Sequence, residues 1–380
     1  MAEHYALGAF LARWYPSTRH DLAASESETW RIPDLLALAD AGDRARWEAL
    51  DFGYTDPRGA VWLRQRVAEG YTGIDMDQVV CFAGAQEALG IVLRALVEPG
   101  DHAIMALPAY QPSEYALSSL CETTGIMLDP EHGWALDLGR VAGAIRPTTR
   151  VMLVNFPNNP TGKLLSRDEF QALIALCRQH GIWLVNDEVY RSIDRNPALL
   201  LPCVADAYER GVSVDALSKG YGLPGLRVGW LACRDEGLLA RARALKHIAS
   251  LCLAGPSEVL AHIALGARDV LLGRNRAIAE DNLALLRRLI ASHSSLFDWH
   301  EPDGGVVGYV RYRGPDGVEA FATRMARDAE ALVLPSSVWR SALAPTPADR
   351  FRIGFGRRAA ARGIADLDQA LHRDRTRSAA

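Results

Sequence analysis

Between residues 79 and 187 the chain alternates short apolar runs with amphipathic stretches. VVCFA (79–83) precedes AQEALGIVLRAL, and HAIMAL (102–107) precedes the more polar PAYQPSEYALSSL. VMLVNF (151–156) leads through a loop into RDEFQALIALCRQHG, and IWLVND (182–187) follows directly. Short apolar runs bounded by turn residues predict strands, and apolar positions three and four apart predict helices laid against them. This alternation predicts an α/β domain with a largely parallel sheet flanked by helices. Beyond about residue 255 the pattern changes to two helical runs, SEVLAHIALGARDVLLG and AIAEDNLALLRRLIASH. Strand-like GGVVGYVRY, ALVLPSS and FRIGFG and a last helix complete a smaller α+β domain. The amino-terminal region predicts an arm, then a helix over roughly Pro33 to Asp40. The expected organisation is an arm and small-domain segment over 1–44, a large domain over 45–275 and a small domain over 276–380. The tail HRDRTRSAA is expected to lack fixed structure. There is no internal repeat and no long low-complexity segment.

Composition narrows the function. The 380 residues are 49% hydrophobic, enough for a sizeable core, and the net charge is −4. A general nucleic-acid binder would carry a basic face, so that class is excluded. No segment approaches a membrane span, and the amino terminus places an acid ahead of a short apolar run, unlike a secretory leader. Cys81, Cys121, Cys177, Cys203, Cys233 and Cys252 are scattered without a CxxC pair. They read as reduced thiols of a cytoplasmic protein rather than a disulfide framework or a metal site.

Lysine is scarce: Lys163, Lys219 and Lys246 are the only three, and every other basic side chain among the 42 is arginine. Arginine stays charged, whereas lysine can become a neutral amine. Lys219 lies in LSKGYGLPGLRVGW, between a serine and a run of glycines. A deprotonated lysine held in such a turn attacks a carbonyl and forms a Schiff base. Pyridoxal phosphate requires such a lysine, a carboxylate on its ring nitrogen, donors for its phenolic oxygen, amides and a cation for its phosphate, and a flat neighbour for its ring. Each is available, mostly in loops that follow predicted strands, where open α/β sheets bind ligands. Asp187 closes IWLVND, and Asn159 lies in NFPNNPTG after VMLVNF. Gly84, Ala85 and Gln86 follow VVCFA and open a helix, whose first amides attract phosphate. Tyr110 follows HAIMAL. Arg227, eight positions after the lysine, offers a fork for phosphate. Singly these are ordinary caps and turns; their order and common placement carry the reading.

Taken together, YTDPRGAVWLR, GAQEAL, PAY, NFPNNPTG, DEVY, SKGYGLPGLRVGW and FRIG resemble the class I/II aminotransferases, which are fold-type I pyridoxal-phosphate enzymes. The likeness runs from about Tyr54 to FRIGFG. It implies Lys219 as Schiff-base lysine and proton shuttle, Asp187 on the pyridine nitrogen, and Asn159 and Tyr190 on the phenolic oxygen. It further implies Tyr110 against the ring and Gly84, Ala85, Gln86, Ser218 and Arg227 around the phosphate. Arg352 would clamp the substrate α-carboxylate. Tyr54 would reach the phosphate of a neighbouring subunit, since family members are typically homodimers with shared sites.

Two departures stand out. Many family members have a serine where this chain has Ala216, and DLAASESETW replaces a glycine-proline segment that lines the substrate pocket. The arm, the NFP start of the asparagine motif and SKGYGLPGLRVGW are similar to capreomycidine synthase-like cyclases, which close a ring on a hydroxylated arginine. Glu26 would then fall in the pocket and receive a cationic side chain. DEVY keeps the ordinary aminotransferase form. Three readings follow. The first is an aminotransferase with an amino-acid substrate and a keto-acid co-substrate. The second is a cyclase or eliminase that diverts the same early steps. The third is a regulator that binds the cofactor without turnover, which the intact Lys219, Asp187 and Tyr190 and the missing winged-helix domain disfavour.

Overall fold

The computed structural model describes residues 5–193 and 200–379. Met1–His4, part of the stretch read against a leader, and Ala380 lie outside the described residues. Strands run in chain order as β1 His20–Asp21, β2 Val79–Phe82, β3 His102–Leu107, β4 Glu122–Met127 and β5 Thr149–Asn155. They continue as β6 Trp183–Asp187, β7 Gly211–Ala216, β8 Gly229–Cys233, β9 Phe297–Trp299, β10 Val307–Tyr312, β11 Ala331–Leu332, β12 Leu334–Pro335 and β13 Arg350–Gly354.

A seven-stranded sheet has the order β2-β8-β7-β6-β5-β3-β4. From β7 to β4 every pairing is parallel, as the alternation predicts. β8 runs against both β7 and β2. Its start therefore lies at the same edge as the ends of its neighbours, which matters for Arg227. Most strand residues of this sheet are buried, because helices cover both faces. One of these helices, Arg167–His180, shows how local chemistry fixes a boundary. Ser166 Oγ accepts from Glu169 N (3.1 Å), and Glu169 Oε2 accepts from Ser166 N (2.6 Å). Gly181 ends the helix at φ 66°. Such a cap contributes about 1 kcal/mol, while the larger gain comes from burying Phe170, Leu173, Ile174 and Cys177.

The second sheet has the order β12-β13-β10-β9 and is antiparallel. The helix Arg268–Ser292 lies between the two sheets in sequence. The arm is tied down through β1, which pairs in parallel with β11 in a two-stranded sheet of their own.

The structure corrects three expectations. The helix expected over Pro33 to Asp40 spans only Ile32–Leu36, and a separate helix, Ala41–Glu48, follows it. Asp40 is not helical: its carboxylate caps the second by accepting from Asp43 N at 2.8 Å. The two helical runs after residue 255 divide at Ala267, giving Gly255–Gly266 and Arg268–Ser292. The final helix spans Ala360–Ala379, so the tail continues it. All six cysteines are free. Among the described residues no helix is long and apolar enough to cross a membrane.

Candidate active site

A cavity of about 310 Å³ opens at the carboxyl edge of the seven-stranded sheet. Lys219 lies on it, three residues beyond the end of β7. Its Nζ donates to Ser25 Oγ at 2.7 Å. Burial pushes its pKa down to about 8, against the pull of the Glu26 carboxylate. The other lysines have structural partners. Lys163 pairs with Asp303 at 3.5 Å, and Lys246 donates to the carbonyls of Pro57 and Leu251 at 2.5 and 2.9 Å. The scarcity of lysine thus resolves into one ion pair, one carbonyl clamp and one amine facing a cavity.

Asp187 is the last residue of β6 and lines the same cavity. Burial raises its pKa to about 6, and its Oδ1 accepts from Val189 N at 3.3 Å. Beside it in the sheet, Asn155 ends β5. Asn155 Nδ2 donates to the Asp187 carbonyl (2.7 Å), and Asn155 Oδ1 accepts from Asn159 N (2.8 Å). This chain of bonds sets the asparagine loop against the strand ends. Asn158 Nδ2 donates to Pro108 O (3.2 Å), which draws in the loop carrying Tyr110.

Gly84, at φ 89°, precedes the helix Ala85–Leu96 and leaves its first turn without a side-chain cap. Arg227 sits against it: a Cβ at Gly84 would lie 2.5 Å from the guanidinium. Arg227 itself adopts φ 52° and donates to Ala83 O (3.3 Å) and Pro224 O (3.2 Å). Free helical amides beside a guanidinium make an anion cradle. Ser218, Ala85 and Gln86 line the cavity there.

Arg352, on β13, closes the opposite side and is 3% exposed. Its Nη1 donates to Asn159 Oδ1 (2.9 Å), its Nη2 donates to Ala23 O, and it lies 5.3 Å from the Trp339 ring. Among the described residues it forms no ion pair. A buried guanidinium without a carboxylate is costly and calls for an anionic partner.

The structure therefore brings together Lys219, Asp187, Tyr190, Tyr110, Asn159, Ala85, Gln86, Ser218, Arg227, Arg352 and Glu26 around one cavity, with Gly84 at its edge. The Tyr190 hydroxyl donates to Ser25 O at 2.7 Å, and burial raises its pKa. Tyr110 meets Tyr5 hydroxyl to hydroxyl at 3.2 Å. Tyr54 stands apart: it is 89% exposed and does not line the cavity of its own chain. Glu26 faces the cavity but is already held by Arg357, which also lies 3.5 Å from Asp21. Tyr15 donates to Asp21 Oδ2 at 2.9 Å. The helix Ala6–Trp14 covers this mouth with Leu7 and Leu11.

Sequence reading missed Ser25, Arg357 and Asn155. Asn155 had a signal, since it ends the strand just before FPNNP. Ser25 and Arg357 had none, because their partners lie far away in the chain.

The donor set fits pyridoxal phosphate. A partly buried amine, a partly buried carboxylate one strand away and an anion cradle on the cavity wall would suit its aldehyde, ring nitrogen and phosphate. The comparisons agree. The model of the family "Aminotransferase class I and II" matches residues 28–365. The chain is 34% identical over 320 residues to the arginine–pyruvate transaminase of Pseudomonas aeruginosa, covering 80% of this chain and 77% of that one. It is 30% identical over 377 residues to capreomycidine synthase of Streptomyces vinaceus, covering 95% and 92%. A pyridoxal-phosphate-dependent aminotransferase from Streptococcus suis superposes with a TM-score of 0.90 at 28% identity, covering 97% and 98%.

Proposed function

This chain belongs to the class I and II aminotransferases, enzymes that use pyridoxal 5′-phosphate, and from that premise we propose that it moves the amino group of a basic α-amino acid to a 2-keto acid. The observation that carries the reading is the pairing, across one cavity, of the Lys219 amine with the Arg352 guanidinium, which lacks an ion-pair partner among the described residues. One side of the cavity offers a nucleophile for an aldehyde, and the other offers a fork for a carboxylate.

The bound cofactor supplies an electron sink for the charge that develops at the substrate Cα. The chain's own groups do the rest. Arg352 fixes the α-carboxylate, and so fixes which Cα bond faces the lysine. Asn159, held by Asn155 and Arg352, keeps its amide at the cavity wall. Asp187, partly buried and with its pKa raised to about 6, would be held as a carboxylate by a protonated ring nitrogen facing it. Lys219, its pKa lowered to about 8, would take the proton from the substrate Cα and deliver it to the cofactor carbon that bears the nitrogen, since a base poised near neutrality can both accept and release a proton. Gly84, the first amides of its helix and Arg227 anchor the phosphate.

The basic side chain is supported by Glu26, which lines the cavity, and by Asp21, which is hydrogen-bonded to the cavity-lining Tyr15; the two carboxylates share the guanidinium of Arg357. The substrate named for the Pseudomonas relative is also in keeping with it. The exposed Tyr54 and Phe52, 89% and 98% accessible, support a homodimer in which Tyr54 reaches the neighbouring phosphate. We place the enzyme in the cytoplasm, in line with its free cysteines.

A cyclase is the second reading, favoured by the likeness to capreomycidine synthase, which covers 95% of this chain. Adding arginine, hydroxylated arginines and neutral amino acids singly to the holoenzyme, with and without pyruvate, separates the two. An aminotransferase converts the amino acid to its keto acid only as pyruvate becomes alanine. A product formed without any keto acid, lighter than its substrate by one water, overturns transamination and installs the cyclase. No product from any basic amino acid removes the substrate class.

A further inference from the structure

We infer that Ser25 is a positioning residue for Lys219: its hydroxyl holds the lysine amine on the arm side of the cavity whenever the amine is not bonded to the cofactor. The inference rests on the cofactor reading above and adds a residue to it.

Three observations carry it. First, Ser25 Oγ is the only hydrogen-bond acceptor of Lys219 Nζ among the described residues, at 2.7 Å. Second, the backbone of Ser25 is held from several sides. Its carbonyl accepts from the Tyr190 hydroxyl (2.7 Å), and its amide donates to Glu26 Oε2 (3.1 Å). Leu22 O accepts from Gly354 N (2.7 Å), and Ala23 O accepts from Arg352. Third, the arm and the lysine turn are in direct contact. Ser27 N donates to Lys219 O at 3.1 Å, and Gly222 lies so close that a Cβ there would meet Glu28 O at 2.1 Å. A hydroxyl anchored this firmly presents a fixed acceptor rather than a mobile one.

The consequence is geometric. A neutral amine has two N–H bonds and one lone pair. Donating one N–H to Ser25 removes rotational freedom and holds the lone pair at a set angle to the cavity. The same bond favours the ammonium form, because a charged donor binds a hydroxyl more strongly than a neutral one. Four other charged groups act on the amine: Glu26 from the arm and Asp187 from β6 favour its charge, while Arg352 from β13 and Arg227 before β8 oppose it. None of them is altered by a change at Ser25, so a substitution there reads the hydroxyl itself.

The test uses protein freed of cofactor by an amino-acid wash and dialysis. Pyridoxal phosphate uptake is followed by absorbance across pH, with borohydride reduction and peptide mass mapping to confirm the bond at Lys219. Bond formation needs the neutral amine, so wild-type uptake rises with pH through a midpoint near 8. Ser25→Ala is expected to lower that midpoint by about half to one pH unit, the size of the difference between a charge-assisted and a neutral hydrogen bond. It is also expected to slow uptake on the alkaline plateau, where protonation no longer matters. Ser25→Thr, which keeps the hydroxyl, should restore both. If Ser25→Ala fails to fold by circular dichroism, Ser25→Cys, a weaker acceptor, is expected to shift the midpoint in the same direction. An unchanged midpoint and plateau in a folded variant would overturn the inference and leave the cofactor reading intact. Wild-type protein without a reducible bond at Lys219 would instead bring down the cofactor reading.

Discussion

Replacing Arg352 tests whether the enzyme recognises an α-carboxylate as the geometry requires. The side chain is buried, carries no ion pair among the described residues, and spends Nη1 and Nη2 on Asn159 Oδ1 and the Ala23 carbonyl. A bidentate carboxylate adds two charge-assisted hydrogen bonds, each contributing about 1.5–3 kcal/mol. Arg352→Ala should therefore lower kcat/KM for an amino acid by about 3–5 kcal/mol, or roughly two to four decades at 1.4 kcal/mol each. Arg352→Lys keeps the charge and loses the fork, so its loss should be nearer one to two decades, about half as large in free energy. The control is the matching amine, which has the same side chain without the carboxylate. Single-turnover rates are measured for both compounds with each protein, and circular dichroism confirms that each variant melts cooperatively. The wild type should favour the amino acid strongly, and Arg352→Ala should treat the two compounds nearly alike. An equal loss on amino acid and amine would refute the reasoning: Arg352 would then act by holding Asn159 and the arm in place.

Other substitutions probe the remaining parts of the cavity. Lys219→Ala should abolish turnover and the borohydride-reducible cofactor bond while leaving the circular dichroism spectrum intact; full activity in that variant would dismiss the site assignment. Glu26→Gln should raise KM for a basic amino acid about tenfold, the weight of one partly screened ion pair near 1.4 kcal/mol, and barely change that for a neutral one; equal effects on both would remove cation recognition from this residue. Gly84→Ala puts a Cβ at φ 89° against Arg227, and such strain costs about 1–3 kcal/mol. Cofactor affinity should fall by roughly one to two decades in a fluorescence titration, and an unchanged affinity would place the phosphate elsewhere.

The sequence alone determined the elements and the residues tied to them. Apolar runs at 79–83, 102–107, 151–156 and 182–187 became β2, β3, β5 and β6, because a strand buried on both faces writes its burial into consecutive residues. Lys219, Asp187, Asn159 and Tyr110 were legible because each follows a strand closely, and parallel strands deliver their ends to one edge of a sheet. β7 (GVSVDA) and β8 (GWLAC), which open on glycine and hold few bulky branched residues, left a weaker trace, and Asp40 read as helical although it is a cap. Only the tertiary structure decided what faces these residues. Ser25 and Lys219 are 194 positions apart, and Arg352 meets Ala23 across 329. Those contacts depend on how the arm is pinned between the second sheet and the lysine turn, which is a matter of packing and close backbone approach. Hydrophobic period and turn chemistry report a residue's immediate neighbours along the chain. The neighbour that sets the direction of an amine is supplied by closure of the whole fold.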